Sequence, residues 1–81
     1  MPTVPRIGPY RFFFYSEESG EPAHIHISSG NKAAKFWLAN CELSRAKNFK
    51  GHELSELYRL IVEHREKFME AWNEYFSHTA N

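Results

Sequence analysis

Residues 24–38, HIHISSGNKAAKFWL, decide the fold because they contain two β-type segments joined by a turn signal. Residues 24–29 alternate polar and apolar side chains with the period of a half-buried strand. Gly30-Asn31 suits a two-residue hairpin turn, which requires positive φ. Residues 32–38 then return as the second strand. The stretch therefore predicts a β-hairpin.

The predicted turn also fixes which residues face each other across the hairpin. One face carries apolar pairs, namely Ile25 with Phe36 and Ile27 with Ala34. The other face carries polar or amphipathic pairs, namely His26 with Lys35 and His24 with Trp37. A slip of one residue would scramble both faces, because side-chain direction in a strand has a period of two. Turn chemistry and face pattern thus favour the same register.

A further strand is predicted in YRFFFYS, residues 10–16, which is short, aromatic and followed by a polar loop. We place Phe12 and Phe14 on the inner face, which sends Arg11, Phe13 and Tyr15 outward. Residues 41–44 form a possible short fourth strand.

The C-terminal third has the pattern of an amphipathic helix that begins near Gly51, a plausible cap, with Glu53 in the first turn. Its apolar stripe recurs at helical spacing and consists of Leu54, Leu57, Tyr58, Ile61, Phe68, Trp72, Tyr75 and Phe76. Because His64 and Arg65 interrupt the stripe, one long helix and two abutting helices are both open.

These elements predict an α+β fold, in which a three- to four-stranded antiparallel sheet packs its Ile25/Ile27 face against the C-terminal helical region. The 81 residues suit a single domain, with the sheet at about residues 7–46 and the helical region at about 51–77.

The second face of the sheet is the candidate functional surface, because it combines rings, imidazoles and cations. Its predicted binding residues are Arg11, Phe13, Tyr15, His24, His26, Lys35 and Trp37. An aromatic surface of this kind should not stay bare in a monomer. We expect a partner protein or a second copy of the chain to cover it.

Three other functions use the same face. Single-stranded nucleic acid or RNA would stack its bases on the rings and meet the cations with phosphate. A metal-independent nuclease would use His24 and His26 as acid and base. A zinc site would need a third ligand beside the two histidines, and no spacing selects one. No metal and no cofactor is therefore predicted.

The cysteine content fits a reducing compartment. The single Cys41 excludes an internal disulfide, and it lies in an apolar alternation typical of a buried thiol. No run of signal-peptide length and no membrane-spanning segment is present. We expect a cytoplasmic protein that does not contact a membrane.

The ten basic and ten acidic residues are unevenly distributed. Residues 51–81 contain six glutamates against three basic residues, whereas residues 1–50 contain seven basic residues against four glutamates. The first half of the chain could therefore meet an anionic partner, although glutamates on an exposed helix also serve solubility.

Four stretches together resemble a small bacterial family known as domain of unknown function 4160: PTVPRIGPYRFFFYSEESGEPAHIHI, AAKFWLANCEL, FKGHELSEL and EAWNEYF. Its members typically have a second proline where this sequence has Ala23. The resemblance implies a small single-domain protein of bacteria or phages, often encoded beside another small protein. A toxin–antitoxin-like role has been suggested by that arrangement. It carries over no catalytic residues.

Overall fold

Five antiparallel strands form one sheet and a single helix packs against one face of it, in a computed structural model that describes residues 6–15 and 20–79. The elements are β1 (Arg6–Ile7), β2 (Tyr10–Phe13), β3 (His24–Ser29), β4 (Lys32–Trp37), β5 (Leu43–Lys47) and α1 (Gly51–Thr79). The strands lie in sequence order, β1-β2-β3-β4-β5. The α+β class is confirmed, with five strands rather than three or four, and with one uninterrupted helix.

The β3–β4 hairpin has the predicted register. Ile25 lies opposite Phe36 and Ile27 opposite Ala34, while His26 lies opposite Lys35. Gly30 has a φ of 61°, and Asn31 does not have a positive φ. This is the φ pattern of a type II′ turn, in which glycine takes the first central position because it has no Cβ to clash there.

Strand β2 has the predicted phase, although it ends at Phe13 and residue 16 lies outside the described residues. Phe12 and Phe14 are buried, and Arg11 is exposed. The helix supplies their partners: the Phe12 ring stacks on Phe68 at 5.1 Å between centroids, and Phe14 lies 5.3 Å from Trp72. Aromatic side chains of the sheet and the helix therefore pack against each other and join the two layers.

Strand β5 differs from the prediction of a short strand at residues 41–44. Cys41 is buried as expected, but it has a φ of 59° and lies in the turn before the strand. The strand proper begins at Leu43, and its register against β4 shifts between Lys35 and Phe36. Ser44 is the extra residue of this β-bulge, because Arg45 pairs with Lys35 and Leu43 with Phe36.

The helix begins with a cap that uses Glu53. The Lys50 backbone N–H donates to Glu53 Oε1 at 2.9 Å, and the Glu53 N–H donates back to the Lys50 carbonyl at 3.0 Å. Lys32 of β4 also donates to the Glu53 carboxylate, and this hydrogen bond lowers the pKa of Glu53. The residue before Gly51 is thus the cap, and the same carboxylate ties the helix to the sheet.

Arg65, which interrupts the apolar stripe, fastens the middle of the helix to the turn after β4. Its Nε donates to the Leu38 carbonyl at 2.6 Å and its Nη2 donates to the Ala39 carbonyl at 3.3 Å. These two carbonyls lie in the turn that leads to β5. Charged hydrogen bonds of this kind contribute more than neutral ones, about 1.5–3 kcal/mol each.

We therefore expect Arg65→Met to lower the free energy of unfolding by about 1.5–3 kcal/mol, because both carbonyls lose their donor while the aliphatic packing is kept. Arg59→Met is the matched control, since Arg59 is exposed and its Nη1 lies 3.9 Å from Glu63 Oε2 on the same helix. Urea denaturation followed by tryptophan fluorescence measures both variants. Equal losses for the two variants would show that Arg65 does not fasten the turn.

Tyr10 forms a second polar link between sheet and helix. Its hydroxyl donates to Glu56 Oε1 at 2.8 Å, and its ring is buried. The hydrogen bond to the Glu56 carboxylate and the burial together raise the pKa of Tyr10 to about 12 from its ordinary value of 10.0. The folded chain therefore keeps this phenol proton at a pH where the unfolded chain has lost it.

This linkage predicts a loss of stability as the pH rises from 10 through 12, because unfolding releases the Tyr10 proton within that window. Tyr10→Phe should lower stability at neutral pH by about 0.5–1.5 kcal/mol and flatten the alkaline decline. Urea unfolding of both proteins at several pH values measures this difference. Identical alkaline slopes would contradict the raised pKa of Tyr10.

Candidate functional site

The outward face of the sheet, opposite the helix, collects five cations that are scattered in the sequence. Directly opposite residues in an antiparallel pair share a face. One row across the sheet consists of Arg6, Arg11, Ser28, Ala33 and Lys47, and the next consists of Phe13, His26, Lys35 and Arg45. We call this surface the basic face, and its cations are Arg6, Arg11, Lys35, Arg45 and Lys47.

Acidic residues are concentrated on the other side of the molecule. The five strands contain no Asp or Glu. The helix carries exposed glutamates at positions 63, 66, 70 and 74, whereas Glu56 reaches back to Tyr10 of the sheet. The charge difference between the two halves of the chain thus becomes a difference between two sides of one domain.

A shallow groove of about 310 Å³ crosses the basic face at strands β3 to β5. Its polar and charged lining comes from Tyr15, His26, Lys35, Arg45 and Lys47. Ala33, Ala34 and Ala46 also line the groove. Of these, Ala33 lies on the basic face, and its small side chain leaves room between the longer ones. The groove combines hydrogen-bond donors with positive charge, which suits carboxylate or phosphate groups.

Aromatic contacts hold the rings at one end of the basic face. The Arg11 guanidinium lies 5.2 Å from the Phe13 ring centroid, and the Phe13 ring stacks on His26 at 5.4 Å and 20°. The Tyr15 ring meets His26 at 4.9 Å and 62°. Tyr15 is the most exposed ring of this cluster, at 48%.

Lys35 differs from the expectation of an exposed cation, since only 8% of it is exposed. Its ammonium pairs with Glu21 Oε1 at 3.0 Å and lies 4.6 Å from the Trp37 ring centroid. Glu21, which precedes β3 by three residues, therefore lies beside this face. Lys35 therefore contributes to the groove wall, while its charge is compensated by Glu21 within the chain.

His24 departs further from the prediction of a surface residue. It points away from the Ile25/Ile27 face as predicted, but it is fully buried. Its ring lies 4.9 Å from Trp72 of the helix and 5.7 Å from Trp37. Its Nδ1 lies 2.9 Å from the Pro22 carbonyl, which can only accept, so Nδ1 carries the proton. Trp72 closes over this end of the sheet, and His24 supports the neighbouring His26 ring at 5.1 Å.

The predicted binding residues therefore lie close together but differ in their exposure to solvent. Arg11 and Tyr15 are exposed, Phe13, His26 and Trp37 are half-buried, and His24 and Lys35 are buried. Arg45 and Lys47 join the groove from β5, although neither is among the binding residues predicted from the sequence. The alternation Arg-Ala-Lys is the signal that could have revealed their strand, but it is short, and β5 contains no β-branched or aromatic residue.

Two findings apply to the described residues. No group of three or more His, Cys, Asp or Glu side chains lies close enough together there to hold a metal ion. Within the same residues, no helix is both long and apolar enough to cross a membrane.

The two histidines should respond differently to truncation. His24→Ala removes a fully buried ring between two tryptophans and should lower the free energy of unfolding by about 2–4 kcal/mol. His26→Ala removes a half-buried ring and should cost less than half as much. Thermal and urea unfolding measure both variants. An equal or larger loss for His26→Ala would contradict the placement of the two rings.

Comparison with known proteins identifies one family, described as Domain of unknown function (DUF4160), which matches residues 10–73. The match begins at β2 and extends through most of the helix, so it includes the groove and both histidines. No curated protein and no solved structure gives a significant match.

Proposed function

The chain belongs to the DUF4160 family, and we propose that it is a small binding module that holds an acidic partner protein on its basic face. The observation that carries this proposal is the collection of five cations on one face of a sheet whose strands contain no carboxylate. Complementary charge steers association and selects partners of the opposite sign.

Exposed cations on the basic face support the proposal that a second molecule binds there. Arg11, Arg45 and Lys47 are exposed, and no described carboxylate forms an ion pair with them. Lys35, by contrast, is paired with Glu21 within the chain. The exposed cations around the groove are therefore available for Asp and Glu side chains of a partner.

The ring geometry favours a protein over single-stranded RNA. Bases stack on several open rings in sheet platforms that bind single strands. Here the Phe13 ring is stacked on His26, and the Trp37 ring faces the Lys35 ammonium. Tyr15 is the one strongly exposed ring that this face offers within the described residues. The formal net charge of zero also lowers the attraction for a polyanion.

The burial of His24 weakens the nuclease hypothesis. General acid–base catalysis on a phosphodiester needs two groups within hydrogen-bond reach of the substrate. His26 lines the groove, whereas His24 is enclosed by Trp72 and Trp37. His24 therefore acts in our proposal as a structural support for the binding face.

The paired-gene arrangement that the family resemblance implies names a candidate partner. We propose that the chain acts in the bacterial cytoplasm with the small protein encoded beside it, as one half of a toxin–antitoxin-like pair. An acidic surface on that protein would complement the basic face. Such a pair would be held by charge and by the apolar side chains around the groove.

Isothermal titration of the chain with the product of the adjacent gene tests the proposal. Arg45→Glu/Lys47→Glu should weaken the complex at least about tenfold, because two favourable charge contacts become repulsive. Arg59→Glu/Lys67→Glu is the matched control, since it reverses two exposed cations on the helix. The affinity of this control for the adjacent gene product should stay within about twofold of that of the unmodified chain.

Two results would overturn the proposal. In one, both double variants bind the adjacent gene product as tightly as the unmodified chain. In the other, that product does not bind, while a single-stranded oligouridine does, with an affinity that falls steeply with salt and with Arg45→Glu/Lys47→Glu. The second result would establish the RNA alternative on the same face.

A further inference from the structure

Strand β5 is an open edge of the sheet. We propose that it accepts an extended segment of the partner as a sixth strand, and that acidic and apolar residues alternate along this segment. The inference rests on the proposed function and names how the partner binds. Addition of a strand to an exposed edge is a recurrent mode of peptide recognition, in which main-chain hydrogen bonds give affinity and alternate side chains give specificity.

The edge is accessible. Strand β5 ends the strand order, and no described strand pairs with its outer side. All five of its residues, Leu43–Lys47, are exposed. An edge of this kind presents unpaired backbone N–H and C=O groups to solvent.

The edge is also held in place at both ends. Before the strand, the Glu42 N–H donates to Asn40 Oδ1 at 3.0 Å, and the Trp37 N–H donates to the Glu42 carbonyl at 2.9 Å. After the strand, Asn48 Nδ2 donates to the Asn31 carbonyl at 2.8 Å, which ties the strand end to the hairpin turn. A pre-formed edge loses little conformational entropy when a segment binds to it.

A second copy of β5 is a poor occupant of this edge. Antiparallel pairing of two β5 strands about Arg45 would place each Arg45 directly opposite the other. Like charges opposite each other destabilise a strand pair. Lys35, which lies opposite Arg45 within the sheet, is compensated by Glu21, whereas two facing β5 strands contain no carboxylate to do the same. Basic residues on edge strands are a known protection against self-pairing. The same charges attract a strand that carries Asp or Glu at the facing positions.

The bulge at Ser44 gives the two sides of the edge different chemistry. Arg45 and Lys47 lie on the basic face, whereas Leu43 pairs with Phe36 and lies on the helix side. Because of the extra residue, a strand of only five residues presents cations to one side and an apolar side chain to the other.

An apolar groove of about 390 Å³ lies on the helix side of the edge. Leu43 and Tyr58, which line it, are 43% and 50% exposed, and Leu54 and Phe36 complete its apolar wall. A segment paired with β5 would direct every second side chain into this groove and the others toward Arg45 and Lys47. Alternating apolar and acidic residues therefore describe the occupant.

A blocked synthetic peptide, Glu-Val-Glu-Val-Glu-Val, tests this inference directly. It should bind the full chain, slow hydrogen exchange of backbone amides within β5, and bind at least about fivefold more tightly than Glu-Glu-Glu-Val-Val-Val. Arg45→Glu/Lys47→Glu should weaken it about tenfold, and Lys-Val-Lys-Val-Lys-Val should regain binding to that variant. Arg59→Glu/Lys67→Glu serves as the control and should change nothing.

The outcomes separate this inference from the proposed function. If both acidic peptides bind equally, or if the protected amides lie near Phe13 and His26 and not in β5, strand addition is wrong while the basic face still binds acidic ligands. If the alternating peptide does not bind at all, strand addition is also wrong. If the adjacent gene product ignores Arg45→Glu/Lys47→Glu, the proposed function fails, whatever the peptides do.

Discussion

The register of the β3–β4 hairpin is the constraint on which the rest of the structure depends. Gly30 supplies the positive φ that the two-residue turn requires, and the turn fixes every pair up to His24 and Trp37. Because side chains alternate, this single choice buries Ile25 and Ile27 against the helix and turns the cations outward. A one-residue slip would place lysine in the core and leave the outward face of the sheet apolar.

The same alternation separates the charges of the domain. Basic residues from both sheet edges meet on one side because the register aligns them, and the glutamates of the amphipathic helix lie on the other side. Polar links such as Tyr10 to Glu56 and Lys32 to Glu53 hold these two layers together. The domain therefore keeps a formal net charge of zero while one of its surfaces is strongly basic.

Sequence reasoning predicted the features that depend on local chemistry: the hairpin, the inner face and the helix. It did not predict features that depend on residues distant along the chain. His24 is buried by Trp72, and Lys35 is neutralised by Glu21 of a loop. Strand β5 was missed beyond Ser44 because its residues have weak strand propensity and its register is broken by a bulge. These features depend on contacts between residues distant in the sequence, which hydrophobic periodicity does not reveal.

Backbone amide shifts of the isotopically labelled chain, recorded while its partner protein is added, test the central claim most directly. Binding at the basic face and at the β5 edge would concentrate the changes around His26, Lys35 and Arg45 and along β5. The exposed helix surface around Glu66 and Glu70 would stay unchanged. If the amide shifts changed only on that helix surface and not in the sheet, binding at the basic face would be contradicted.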